Sequence, residues 1–138
     1  MKITNMQADI ILGQLSTIYT SLTKNNEPVP CVLSAGLAKN IRKMQGELKE
    51  YFEEKQKLLQ KYQITSDVQI NNTPEGKKFL HEFTPLSQEN SGVEFHKIKM
   101  TFDELCDVLE NYSGNMTGDP FALQYICKDE DTEIKEGE

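Results

Sequence analysis

The sequence predicts an α+β fold: a helical hairpin with one long helix, packed on a small β-sheet and followed by an acidic C-terminal tail. Three observations predict it. From Leu37 to Tyr62, apolar residues recur at alternating steps of four and three, the spacing of one helix face. Val93 to Met100 alternates apolar and polar with period two, the pattern of a half-buried strand. Residues 128–138 hold six acids, two lysines and almost no apolar side chain, too little to bury and so expected to stay disordered. The 138-residue length fits one domain, and we assign it to residues 1–127.

The first helix is expected from Asn5 to Thr23, with Asn5 as N-cap and Ile11, Leu15, Ile18, Tyr19 and Leu22 at helical spacing. Residues 2–4 precede it as a short strand. Two prolines, Pro28 and Pro30, then break the chain. The second helix is expected to run unbroken from Leu33 to Tyr62, about 45 Å. Its seam of Leu37, Ile41, Met44, Leu48, Tyr51, Leu58 and Tyr62 has one polar slot, Lys55. Such a seam meets another helix, either the first one or a second copy of the chain. Val68-Gln69-Ile70 reads as a short strand, and Thr73-Pro74 as the cap and first turn of a third helix that Pro85 interrupts. Residues 93–100 complete the sheet. Thr101-Phe102-Asp103-Glu104 is a capping box for a short helix through Leu109. Gly114 to Gly118 forms a loop, and Pro120 to Cys127 a last apolar helical turn or two.

Charge narrows the function. The formal net charge is -7, which opposes binding of polymeric nucleic acid, where a dominant cationic face is needed. The acidity is not uniform, however. Residues 36–62 carry seven bases against four acids, whereas residues 63–127 carry four against ten. No stretch approaches the roughly 20 apolar residues of a membrane span, and the N-terminus lacks the pattern of a signal peptide. Three widely spaced cysteines, Cys31, Cys106 and Cys127, form neither a disulfide framework nor a zinc signature, which points to a reducing cytoplasm.

Catalytic templates are missing: no phosphate-binding glycine loop, no G-x-S-x-G, no H-E-x-x-H. His81 and His96 stand on polar faces without an evident partner. Asp103, Glu104, Asp107 and Glu110 read as a solvated helix face, not a cation site. The sequence therefore implies no enzyme, no cofactor and no metal. One local oddity remains. Lys39, Arg42 and Lys43 cluster early in the second helix, where cations oppose the helix dipole and Lys39 repels Lys43 at spacing i,i+4. Either an internal salt-bridge network offsets this, with the acidic C-terminal half as partner, or the trio binds an anion such as phosphate. Tyr112 and Tyr125 flank the glycine-bearing loop and could stack on a base.

Several segments occur in a suggestive order. They are Met1-Lys2-Ile3-Thr4-Asn5 before an amphipathic helix, Val29-Pro30 before Ala35-Gly36-Leu37-Ala38-Lys39-Asn40-Ile41-Arg42-Lys43, and the run Glu53 to Tyr62. Val93 to Ile98 leading to Thr101-Phe102-Asp103-Glu104-Leu105 completes the order. This arrangement resembles a family of small uncharacterised proteins from phages and prophages of low-GC Gram-positive bacteria, over residues 1–126. The resemblance implies a protein working in the cytoplasm of an infected bacterium. The expected function is stoichiometric binding in counter-defence, with a host defence protein or a small nucleotide immune signal as partner. The alternative is a structural accessory factor in tail or baseplate assembly. On either reading the chain is expected to form a homo-oligomer through the long helix.

Overall fold

The structure, a computed structural model, describes residues 2–24, 29–112 and 118–128. Helix accounts for 73% of these residues and none forms a β-strand, so the fold is all-α and the α+β expectation is corrected. Six α-helices follow one another: α1 (Asn5–Lys24), α2 (Cys31–Glu47), α3 (Lys49–Lys61), α4 (Asp67–Asn72), α5 (Pro74–Gln88) and α6 (Phe102–Glu110). A 3₁₀ helix, Pro120–Tyr125, comes last. The expected loop at 114–118 lies outside the described residues except for Gly118, and the expected disordered tail does so beyond Lys128.

Each of the three expected strands resolves differently. Residues 2–4 supply only an isolated antiparallel bridge, Thr4 to Asn90. Val68-Gln69-Ile70 lies inside α4, where the Gln69 side chain reaches back to accept from the Ser66 N–H at 3.2 Å. Three residues are too few to fix a period, and this cap selects the helix. Residues 93–100 do bury Val93 and Ile98 while exposing Glu94, Lys97 and Lys99, yet the segment is irregular. Its backbone is satisfied by a side chain and by residues 126–128 instead of by a ladder.

The long helix also divides. Leu48, with φ -93° and ψ 3°, separates α2 from α3, two residues after Gly46, the weakest helix former in the stretch. Among the described residues α5 packs on α3 and α4, and α6 on the 3₁₀ helix.

The chain forms two compact units. The first comprises Met1–Asp9 and Gln45–Val93. Its core includes Ile3, Leu48, Tyr51, Phe79 and Phe83, with the Phe79 and Phe83 rings stacked at 5.1 Å one turn apart on α5. Helix α5 begins as expected, Thr73 accepting from the Gly76 N–H at 3.0 Å with Pro74 in the first turn. It runs past Pro85 to Gln88, whereas the sequence reading placed an interruption there. A Cβ on Gly76 would overlap the carbonyl oxygens of Gln69 and Ile70, so α4 meets α5 at a contact only glycine allows. The α1 cap is Thr4, not Asn5. Thr4 Oγ1 accepts from the Gln7 N–H and the Gln7 side chain accepts from the Thr4 N–H, which releases Asn5 to donate through its side chain to the Leu86 carbonyl. Burial, reinforced by the Asp9 carboxylate, pushes the Tyr51 hydroxyl from 10.0 up to about 12.

The second unit comprises Ile10–Met44 and Glu94–Glu138. Leu15, Ile18, Leu33, Leu37, Leu105, Leu123 and Ile126 are fully buried in it. The capping box at Thr101 and Glu104 forms as expected and starts α6. Tyr112 donates its hydroxyl to the Ser21 carbonyl at 2.7 Å, tying the end of α6 to α1.

Candidate ligand-binding cleft

The second unit carries an open cleft of about 270 Å³. One wall is α2, through Val32, Ala35 and Lys39, which recur at helical steps of three and four. The other wall is the irregular segment 96–99, through His96, Lys97 and Lys99. Gly36 and Ile98 form the floor. A Cβ on Gly36 would overlap Ile98 Cγ2, so glycine is what lets the chain approach α2 so closely.

Asn40 fixes this geometry. It is fully buried on α2, and its amide oxygen accepts from the His96 N–H at 2.8 Å while its amide nitrogen donates to the His96 carbonyl at 2.9 Å. The same nitrogen donates to the Gly36 carbonyl at 2.8 Å. One side chain thus satisfies both backbone groups of His96, the service a neighbouring strand performs in a sheet. Further along, the Ile98 N–H donates to the Ile126 carbonyl at 2.8 Å and the Lys128 N–H to the Met100 carbonyl at 2.7 Å.

The cleft's lining is cationic. Lys39, Lys97 and Lys99 border it together with His96, and no carboxylate among the described residues does. Lys97 Nζ donates to the Tyr125 carbonyl at 2.9 Å, which holds its ammonium toward the 3₁₀ helix. Arg42 and Lys43 do not line the cleft, but they stand three and four residues beyond Lys39 and so continue its face of α2 by one turn. All three of the expected trio are exposed. Among the described residues the ion pairs are Lys57–Glu54 and Lys61–Glu82, and neither involves the trio. The internal salt-bridge network weighed from sequence is therefore not formed among the described residues.

The two tyrosines expected to stack on a base are otherwise engaged. Tyr112 is held by Ser21, and the Tyr125 ring lies 5.5 Å from that of Phe95. Sequence reasoning missed His96, Lys97 and Lys99 as companions of Lys39. The available signal was Asn40, a polar residue three positions after Leu37 and four before Met44 on the apolar seam. Elsewhere, all three cysteines are free. Burial, with the acids of α6 adding to it, raises the Cys106 thiol, which leaves it a weak nucleophile. Among the described residues no three His, Cys, Asp or Glu side chains gather to hold a metal, and no helix is long and apolar enough to cross a membrane.

Among the described residues the fold and the cleft thus define a class: an all-α chain presenting an open groove bordered by lysines. Comparison with known proteins finds no matching family model, no similar curated protein and no similar solved structure.

Proposed function

We propose that the protein acts by stoichiometric binding of a small phosphate-bearing ligand in the α2 cleft. The observation that carries the reading is a groove bordered by Lys39, Lys97, Lys99 and His96 with no acid among its described lining residues, and with Arg42 and Lys43 continuing the same helix face. Clustered cations repel one another, and an anion that meets several at once relieves that repulsion while forming charge-assisted hydrogen bonds. On the resemblance to phage and prophage proteins, we assign the setting to the cytoplasm of an infected bacterium and the role to counter-defence, with a nucleotide immune signal as ligand.

The tail or baseplate reading needs an exposed helical seam. Leu37, Met44, Leu48 and Tyr51 are buried, whereas Ile41, Leu58 and Tyr62 are half-exposed, which leaves little continuous apolar surface for it. Thermal-shift measurements against a panel of nucleotides test the proposal, followed by titration calorimetry on any ligand that stabilises. Stabilisation follows mass action, reaching about 2.7 kcal/mol at a ligand concentration 100 times Kd. The expected result is a positive shift that Lys39→Ala and Arg42→Ala each weaken by about tenfold, the loss of one charge-assisted contact. No shift with any nucleotide, or an affinity unchanged in both variants, sinks the reading.

A further inference from the structure

We infer that the cleft takes a two-part ligand, an apolar ring joined to a single phosphate, and that its two ends bind these parts separately. The inference rests on the cleft being an anion site and adds what the anion must carry. Along α2 the lining changes character within two turns. Val32 and Ala35, both exposed, make one end apolar, and Lys39 makes the other cationic. Val32 and Lys39 are about 10 Å apart along the helix axis. The facing wall keeps the same order. Asn40, next to Lys39, holds both backbone groups of His96, which places that residue at the cationic end. Ile98 packs on Gly36 in between, and both are buried, so the middle of the floor is apolar. Lys97 and Lys99 flank Ile98, and the Lys97 ammonium donates to the Tyr125 carbonyl.

A bare phosphate engages only one of these ends. It pairs with the Lys39 ammonium through charge-assisted hydrogen bonds and leaves Val32, Ala35 and the Ile98 floor in contact with water. A ring attached to the phosphate covers them. Removing about 80 Å² of apolar ring and wall from water strengthens binding roughly thirtyfold, at about 25 cal/mol per Å². Volume sets the upper limit. The cleft's volume of about 270 Å³ lies just under the roughly 300–1,000 Å³ of pockets for drug-sized ligands. That suits one ring with one phosphate and is too small to enclose two nucleotides. Nucleoside monophosphates and simpler aryl phosphates share this chemistry.

The test is an NMR titration of the full chain with inorganic phosphate, phenyl phosphate and adenosine monophosphate, followed at the Gly36 and Lys39 amides. Ala35→Gln and Lys39→Ala are titrated beside the unaltered protein. Position 35 is exposed, so glutamine there fills the apolar end without disturbing the core. Phenyl phosphate is expected to bind about thirtyfold tighter than inorganic phosphate. Ala35→Gln should erase that advantage and leave inorganic phosphate unchanged, whereas Lys39→Ala should weaken both by about tenfold. Adenosine monophosphate binding well above phenyl phosphate identifies a nucleotide as the ligand, and equal affinities identify ring and phosphate alone as what the cleft reads. If inorganic and phenyl phosphate bind equally, or if Ala35→Gln leaves phenyl phosphate unchanged, the two-part reading is overturned while the anion site stands. If none of the three binds, the anion site fails and the two-part reading falls with it.

Discussion

Replacing Asn40 by alanine probes how the cleft is held open. The variant removes three hydrogen bonds, two with the backbone of His96 and one to the Gly36 carbonyl. The Gly36 carbonyl keeps its place in the helix ladder, so the groups left without partners are the N–H and carbonyl of His96. Each unsatisfied buried backbone group costs about 1–3 kcal/mol. His96 is half-buried, which favours the lower part of that range and a total of about 2–4 kcal/mol. Urea unfolding followed by far-ultraviolet circular dichroism measures this as a lower midpoint at unchanged slope. Hydrogen exchange at the His96 amide should accelerate more than the global loss of stability requires, because its local partner is gone. Asn40→Asp is the sharper control: it keeps an acceptor for the His96 N–H but sets a carboxylate against the two carbonyl oxygens. It should be at least as destabilising as alanine despite its shape. A change within about 0.5 kcal/mol for Asn40→Ala, with His96 exchange unaltered, would refute the reasoning.

Two further outcomes follow from the first unit. Gly76→Ala would press a methyl into the carbonyl oxygens of Gln69 and Ile70, and backbone oxygens cannot turn aside as a flexible side chain can. A loss of about 1–3 kcal/mol in urea unfolding is expected, despite the better helix propensity of alanine. In a titration read at 295 nm, Tyr51 should ionise at about 12, and Tyr51→Phe should remove a late component of the curve. Because its folded value is raised, the neutral hydroxyl contributes stability that is fully present below pH 10 and is lost as pH rises through about 12. Unfolding midpoints in Tyr51→Phe should accordingly depend less on pH between those limits.

Local chemistry was legible in the sequence, and long-range pairing was not. Thr73 with Pro74, and Thr101 with Glu104, announce helix starts because each cap is complete within four residues. The pattern from Val93 to Met100 reports burial only in part: Val93 and Ile98 are buried, while Phe95 and Met100 are half-buried like His96. It cannot say what satisfies the backbone, and here the partners are the Asn40 amide, Ile126 and Lys128. The heptad steps identify Leu37, Met44, Leu48 and Tyr51 as buried, but the seam continues in register across Leu48 and so conceals the break. At the cleft, Lys39 stood out because its neighbours on the same helix are visible in sequence. Lys97 and Lys99, some 60 residues later, join it only once Gly36 admits Ile98. Tyr112 shows the converse: proximity to a glycine-bearing loop suggested a ligand, and the structure shows a partner for its hydroxyl, the Ser21 carbonyl, that the sequence did not reveal.

The bonding of Ile3 and Asn5 to residues 86–91 carries a consequence for synthesis. Ser91 donates to the Ile3 carbonyl through both backbone and side chain, and the two partners are 88 positions apart. Closing a loop of that size costs about 4 kcal/mol of chain entropy, and nothing in the first nine residues can repay it locally. The second unit is likewise assembled from two separated stretches, Ile10–Met44 and Glu94–Glu138. Neither unit can therefore finish while the chain is half made. Residues 1–9 must wait for Val93 to be made, and the cleft's α2 wall must wait for its opposite side.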